Sequence, residues 1–218
     1  MKYFIFSIDD GTIYDKKVLE IFNRYGIKGT FNLNSGLDGF IWYLNGRPIE
    51  RLYLKENPHL YDGHEVASHT LTHPHLTMCP GEIIVKEVGE DITNLETIFD
   101  RDVYTFAFPF HDSDDRCVDI IKHLHNIKVI RHSEEDKSFK FPQDLLHVKI
   151  TSLDINEALW LVDQFIEDDE AELFTFVSHG YDFEVNQTYD KLEELCQKVI
   201  ANKNIKNITM SELTKKIR

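Results

Sequence analysis

Residues 3–8 read Tyr-Phe-Ile-Phe-Ser-Ile and are followed directly by Asp9-Asp10-Gly11-Thr12. The run is almost entirely aromatic and β-branched, which is typical of a buried β-strand. Two adjacent carboxylates repel each other, so packing alone does not explain them. In parallel α/β folds the carboxyl ends of the strands carry the functional site. The stretch therefore predicts a first strand that delivers two acidic groups to a site, although an Asp-Gly turn with Asp10 capping the next helix is a simpler alternative.

The rest of the chain alternates between strand-like and helix-like segments. The predicted strands, each rich in Phe, Ile, Val, Thr or Tyr, are 3–8, 28–33, 103–108, 127–131, 173–178 and 205–209. Apolar residues at helical spacing lie between them, within 18–25, 84–99, 118–124, 159–166 and 192–199. Strands that alternate with helices predict a parallel sheet, either open or closed into a barrel.

Length and charge narrow the class of protein. The 218 residues fit one globular domain, 1–218, with 42% hydrophobic and 28% charged residues. The 24 basic and 38 acidic residues give a net charge of −14, which disfavours nucleic acid and anionic membranes as partners. Three scattered cysteines and the absence of a signal-peptide pattern predict a cytoplasmic protein.

Four of the eleven histidines lie within residues 64–75. His69 and His73 are four residues apart, which suits two imidazoles on one helical turn that bind one cation. Thr70 stands where a zinc protease of the H-E-x-x-H type has glutamate, so that class is excluded. A solvated histidine-rich loop is the alternative for these residues. His64 and His75 are expected to have supporting or surface roles.

Two later segments also end where chemistry could occur. The predicted strand at 173–178 leads to His179, which is well placed to act as an acid or base, although an ordinary buried histidine fits equally. Pro109 interrupts the segment 105–110 and leaves the Phe110 backbone N–H at the strand's end, where it could donate to an oxyanion. Simple strand termination explains this segment as well.

Taken in order, the segments 7–11, 69–73, 107–110 and 177–179 resemble the motifs of the polysaccharide deacetylase family of carbohydrate esterases. The family pattern is an Asp-Asp motif, H-[ST]-x-x-x-H or H-[ST]-x-x-H, R-x-P, and a late Leu-x-His. Segments 29–31, 63–69 and 208–213 also resemble the family, so the resemblance extends from about residue 3 to residue 213.

The resemblance implies an α/β fold, namely a distorted (β/α) barrel of about seven parallel strands. It implies that Asp10, His69 and His73 hold a divalent metal, zinc or else cobalt, nickel or manganese. Asp9 would be the general base and His179 the general acid. The implied function is a hydrolase acting on carbon–nitrogen bonds other than peptide bonds: a metal-bound water removes N-acetyl groups from a carbohydrate substrate.

Phe110 and Arg131 are the residues expected on the substrate side. The Phe110 N–H would stabilise the oxyanion together with the metal. Many relatives carry an arginine two residues before the motif proline, where it pairs with the base, but this chain has Ala107. Arg131, on the next strand, is the predicted replacement. The residue that orients His179 is expected among the acidic residues 134–136.

Three other functions compete with this interpretation. A phosphatase of the haloacid dehalogenase type would need a carboxylate nucleophile at residue 8, which is Ile8, so no phospho-aspartate can form. A catalytically silent sugar-binding domain that holds a metal would need neither Asp9 nor His179, yet both are present. An amide or ureide hydrolase on the same fold stays open. Residues 35–63 are expected to form an ordered excursion that covers a site or meets a partner.

Overall fold

The computed structural model describes residues 1–216, which contain ten strands and six α-helices. The strands are β1 (Lys2–Asp9), β2 (Gly29–Leu33), β3 (Ile41–Leu44), β4 (Arg47–Glu50), β5 (Glu65–Ser68), β6 (Thr105–Ala107), β7 (Val129–Glu135), β8 (Val148–Ile150), β9 (Leu173–His179) and β10 (Ile205–Asn207). The helices are α1 (Asp15–Tyr25), α2 (Gly81–Phe99), α3 (Asp115–Ile121), α4 (Ile155–Glu167), α5 (Gly180–Asn186) and α6 (Tyr189–Ala201). Short 3-10 helices lie at Leu54–Glu56, Leu76–Met78, Leu145–His147 and Ser211–Lys215.

Eight of the strands form a single sheet in which every pairing is parallel. From β1 the order runs through β2, β5, β6, β7 and β8, while β9 pairs with β1 on its other side. The ring closes between β8 and β9, where Ser152 bridges to Phe176 and the Thr151 N–H donates to the Thr175 carbonyl at 2.9 Å. Seven strands thus form the distorted (β/α) barrel that was predicted, and β10 adds an eighth beside the start of β1.

The two faces of β1 pack against different hydrophobic clusters. Phe4, Phe6 and Ile8 belong to the large core shared with the helices, whereas Ile5 belongs to a separate cluster with the terminal segment 208–213. Alternate side chains of a strand point to opposite faces, so Ile5 and Asp9 share the face opposite the helices. Hydrophobic side chains fill the amino end of this face, and a carboxylate stands at the carboxyl end.

The sequence pattern located six strands of the barrel sheet and five helices, with ends within a few residues. It did not identify β5 or β8, the antiparallel hairpin of β3 and β4, or helix α5. These elements are short, between three and seven residues each, so too few residues repeat to produce a readable period. Within residues 1–216 no helix has the length and apolar character needed to cross a membrane.

Two helix carboxylates are buried beneath the carboxyl end of the barrel. Asp15 on α1 accepts a hydrogen bond from the Tyr61 hydroxyl at 2.8 Å. Asp91 on α2 accepts one from the Ser68 hydroxyl at 2.6 Å. Burial raises the pKa of each from 3.8 to about 7, although these hydrogen bonds oppose the shift.

A raised carboxyl pKa makes stability depend on pH in a defined direction. Between pH 4 and 7 the folded chain holds protons that the unfolded chain has lost, so the free energy of unfolding falls as pH rises, by up to about 1.4 kcal/mol per pH unit for each group. Asp15→Asn should reduce this slope and raise the melting temperature above pH 7. Melting curves at several pH values in chelator, with exposed Asp169→Asn as control, measure it; an unchanged slope would contradict the assignment.

Candidate active site

The carboxyl ends of the neighbouring strands β1 and β9 bring Asp9, Asp10 and His179 together. β1 and β9 pair in register so that Asp9 lies opposite His179. Asp10 follows with a φ of 85°, in the left-handed region, which turns its carboxylate across the barrel mouth. Asp10 Oδ2 lies 3.9 Å from His179 Nε2 and 3.3 Å from the Tyr181 hydroxyl, which donates to it.

Asp10, His69 and His73 form a compact set of possible metal ligands, with one ligand atom of each within 4.8 Å of the others. Asp10 Oδ1 lies 3.4 Å from His73 Nε2 and 3.8 Å from His69 Nε2. The two histidines do not share a helical turn, so that prediction was wrong. They lie in the loop after β5, where Thr70 and His73 have φ values of 72° and 58°.

The protonation states of His69 and His73 suit the binding of a cation. The Nδ1 of His69 lies 2.8 Å from the Ala107 carbonyl oxygen, so this nitrogen carries the proton and the Nε2 lone pair faces Asp10. Burial lowers the pKa of His69 and of His73, which keeps both imidazoles neutral. Asp10 Oδ1 is buried and receives no hydrogen bond from the described residues, although Arg51 forms an ion pair with it at 3.1 Å. An oxygen and two nitrogens facing one point suit a divalent metal such as zinc.

Helix α2 holds the loop that carries the two histidines. The Glu87 carboxylate accepts hydrogen bonds from both the backbone N–H and the hydroxyl of Thr72, each at 2.8 Å. Asp91, one turn further along the helix, accepts from Ser68 immediately before His69. The Thr70 hydroxyl also accepts from the His73 N–H at 3.0 Å. The positions of the histidines are therefore fixed by polar contacts from below the loop.

Asp9 is held by a buried arginine. The Arg131 Nη2 donates to Asp9 Oδ2 at 2.6 Å, and the Asn32 amide donates to Asp9 Oδ1, also at 2.6 Å. Arg131 lies on β7, opposite Ala107 of β6 in the sheet, and its side chain is 1% exposed. The guanidinium therefore lies behind the carboxylate and orients it, rather than facing the open mouth. The strand continues to Glu135, beyond the predicted end at residue 131.

His179 is oriented by Asp182 and not by any of the acidic residues 134–136, so that prediction was wrong. The Asp182 carboxylate lies 2.8 Å from His179 Nδ1 and accepts from the His179 backbone N–H at 3.2 Å. Burial lowers the pKa of His179, but the Asp182 hydrogen bond and the charges of Asp10 and Asp9 outweigh it and raise the pKa to about 9. Residues 134–136 bond instead to nearby groups such as Lys149 and Ser138.

Phe110 lies at the rim of the site, and the residue is 42% exposed. It has a φ of 57°, in a turn that follows β6. Its ring stacks on His75 with centroids 3.8 Å apart and meets His73 edge-on at 4.5 Å. His64 is a buried structural residue whose Nδ1 accepts from the Gly29 N–H at 3.1 Å, away from the cluster.

The sequence did not identify Arg51 as a residue of the site. Its guanidinium lies 3.1 Å from Asp10 Oδ1 and is buried. Arg51 follows the β3–β4 hairpin, inside the irregular stretch 35–63, and is forty-one residues from Asp10. No local pattern signals a contact over such a separation. The excursion thus reaches the site, with Trp42 of the hairpin packed edge-on against Tyr181 at 5.5 Å.

Comparison with known proteins identifies the family of the chain and structures that share its fold. A sequence model for the family described as polysaccharide deacetylase matches residues 1–127. A search of curated proteins finds no match.

Solved structures share the fold over most of the chain. A family 4 carbohydrate esterase from Streptomyces lividans in complex with acetate gives a TM-score of 0.63 at 14% identity, covering 94% of this chain and 91% of that one. A family 4 acetyl xylan esterase from Clostridium thermocellum in complex with a cobalt ion gives 0.67 at 13% identity, covering 98% and 91%. A pseudoenzyme of the same esterase family from Bacillus anthracis gives 0.64 at 18% identity, covering 97% and 65%.

Proposed function

The chain belongs to the polysaccharide deacetylase family, and we propose that it removes N-acetyl groups from a carbohydrate substrate in a reaction that depends on a divalent metal. This family consists of hydrolases of the deacetylase class, together with the pseudoenzyme named above. The observation that carries the finer proposal is the placement of Asp9 and His179 at the same barrel mouth as Asp10, His69 and His73. A domain that only bound sugar would need no such acid and base.

Asp10, His69 and His73 would hold the metal, with zinc as the first choice for two imidazoles and one carboxylate. When bound, the metal would polarise the acetyl carbonyl and lower the pKa of a water. The relative from Clostridium thermocellum was solved with a cobalt ion, which supports a divalent metal here. Cobalt, nickel and manganese also suit these ligands, because affinity alone does not select among them.

Asp9 is proposed to accept the proton of the attacking water. Arg131 and Asn32 each hold one of its oxygens and thus fix the direction of the carboxylate. Asp9 Oδ2 lies 3.9 Å from His69 Nε2, which places it beside the proposed metal centre. A base that is fixed in this way needs no reorientation when the proton is transferred.

His179 is proposed to protonate the departing amine. Asp182 binds its Nδ1 at 2.8 Å, and this hydrogen bond and the charge of Asp182 raise the pKa of the ring and favour its protonated form. The Nε2 faces Asp10 and so points toward the centre of the site. The Phe110 N–H, at the rim of the barrel, is proposed to donate to the oxyanion that forms when the carbonyl is attacked.

Acetate release from a panel of N-acetylglucosamine oligomers tests this function. Release should stop with a chelator and return when zinc, cobalt or manganese is added back. Release that persists in chelator after exhaustive dialysis would contradict the metal dependence. If the oligomers are not cleaved but simple amides or ureides are, the chain acts on a different carbon–nitrogen bond with the same site.

A further inference from the structure

A buried arginine lies against the carboxylate of the proposed metal centre. Arg51 follows β4 and is 5% exposed. Its Nη2 lies 3.1 Å from Asp10 Oδ1, and its Nη1 donates to the Asp10 carbonyl oxygen and to the Asn34 side-chain oxygen. The guanidinium carbon lies 5.1 Å from the centre of the Trp42 ring, a cation–π contact.

The guanidinium and the two histidines face the same oxygen atom. Asp10 Oδ1 is the oxygen that lies 3.4 Å from His73 Nε2 and 3.8 Å from His69 Nε2. A cation shared by these three residues would therefore lie on an oxygen that already faces a permanent positive charge. Arginine does not lose its proton at any ordinary pH, so deprotonation cannot relieve the repulsion.

The charges of the cluster are balanced before any metal is added. Arg131 lies 2.6 Å from Asp9, and Arg51 lies 3.1 Å from Asp10. Both pairs are buried, where electrostatic interactions are weakly screened. A divalent ion would thus enter a site whose carboxylates are already neutralised, and it would be repelled by the guanidinium beside it.

The backbone keeps Arg51 in this position. Its own N–H donates to the Phe40 carbonyl at 2.9 Å, and the next N–H, of Leu52, donates to Gly11 at 2.9 Å. Thr12 forms an antiparallel bridge with Arg51. The segment that carries Arg51 is thus attached to the loop that follows Asp10, and the contacts with Asn34 and Trp42 hold the guanidinium itself beside Asp10.

We propose that Arg51 weakens divalent metal binding at Asp10, His69 and His73, so that the metal is exchangeable rather than permanently held. This inference rests on the metal centre of the proposed function. It assigns to residues 35–63 a role in setting metal occupancy. Removing the charge of Arg51 should strengthen binding, whereas removing an ordinary supporting contact would weaken it.

The dissociation constant of zinc, measured by calorimetry and by competition with a chromogenic chelator at neutral pH, tests this proposal. Arg51→Met should bind zinc at least about 10-fold more tightly than the unmodified chain, because it removes a buried positive charge that lies beside a ligand oxygen. Arg51→Lys keeps the charge and should show much less tightening. Arg101→Met is the control, since Arg101 is partly buried and, like Arg51, donates to backbone carbonyls, but to those of Tyr61 and His64.

Equal or weaker zinc binding by a folded Arg51→Met would overturn the proposal. If that variant does not fold, Arg51→Gln, which removes the charge but keeps an amide donor for the Asp10 carbonyl, must show the tightening instead. If the unmodified chain binds zinc and neither variant tightens, only this inference fails. If no folded form binds zinc, with His69→Ala as the reference for an absent site, the metal centre of the proposed function fails as well.

Discussion

Replacing Asp9 with asparagine is expected to lower the kcat of acetate release by about 10³-fold or more, because an amide cannot accept the proton of the attacking water. Zinc should still bind, although more weakly, since Asp9 is not one of the three proposed ligands but its charge offsets that of Arg131 beside the site. The substitution should also destabilise the fold, because it leaves Arg131 buried and without its carboxylate. Breaking a buried pair from one side costs about 3 kcal/mol. Acetate assays and chemical denaturation measure the two effects separately.

A second substitution separates the catalytic loss from the structural one. Asp9→Asn combined with Arg131→Met removes both charges, so most of the lost free energy of unfolding should return. Acetate release should stay as low as in Asp9→Asn alone. If the double variant recovers turnover along with stability, Asp9 acts only through the fold, and the assignment of a general base is wrong.

The fold was predictable because the barrel repeats one simple unit. The strands that were predicted are rich in aromatic and β-branched residues, as in other parallel sheets covered on both faces, and amphipathic helices separate most of them. The elements that the sequence pattern did not predict are short and lack a clear local signal. β5 lies within the histidine-rich segment, where polar residues mask the strand, and β8 has only three residues.

The residues of the site differ in how readily the sequence predicts their positions. Asp9, Asp10 and His179 stand directly at the ends of readable strands, and their positions followed from the topology alone. The spacing of His69 and His73 led to a helical turn that does not exist. Pro74 is a sequence signal against a helical turn at His73, because the residue before a proline avoids helical backbone angles.

The partners of the site were harder to find than its principal residues. Arg131 could be predicted because it lies on the strand next to Ala107, which stands where the family pattern has its arginine. The sequence does contain a local signal for Asp182, since an acidic residue three positions after a strand end is typical of the start of a helix. Arg51 had none, because only the folded excursion brings it to Asp10.

Replacing Asp182 with asparagine is expected to lower kcat by about 10²- to 10⁴-fold while the metal affinity changes little. The carboxylate binds His179 Nδ1 at 2.8 Å and helps to hold the proton that the ring would give to the leaving amine. An amide at this position carries no charge and can present either a donor or an acceptor to Nδ1. KM should move less than kcat, because Asp182 acts through His179 and not on the substrate. Glu184→Gln is the control, since it removes a charge from the same helix without touching His179.

A double variant decides whether Asp182 acts through the histidine. Asp182 also accepts from the His179 backbone N–H and so caps helix α5, which by itself is worth about 1 kcal/mol of stability. If its role is to position His179, then Asp182→Asn should cause no further loss of kcat in a His179→Ala background, because residues that act as one unit are not additive. Independent, multiplicative losses would show instead that Asp182 affects turnover by stabilising the helix, and His179 would then be oriented by the fold alone.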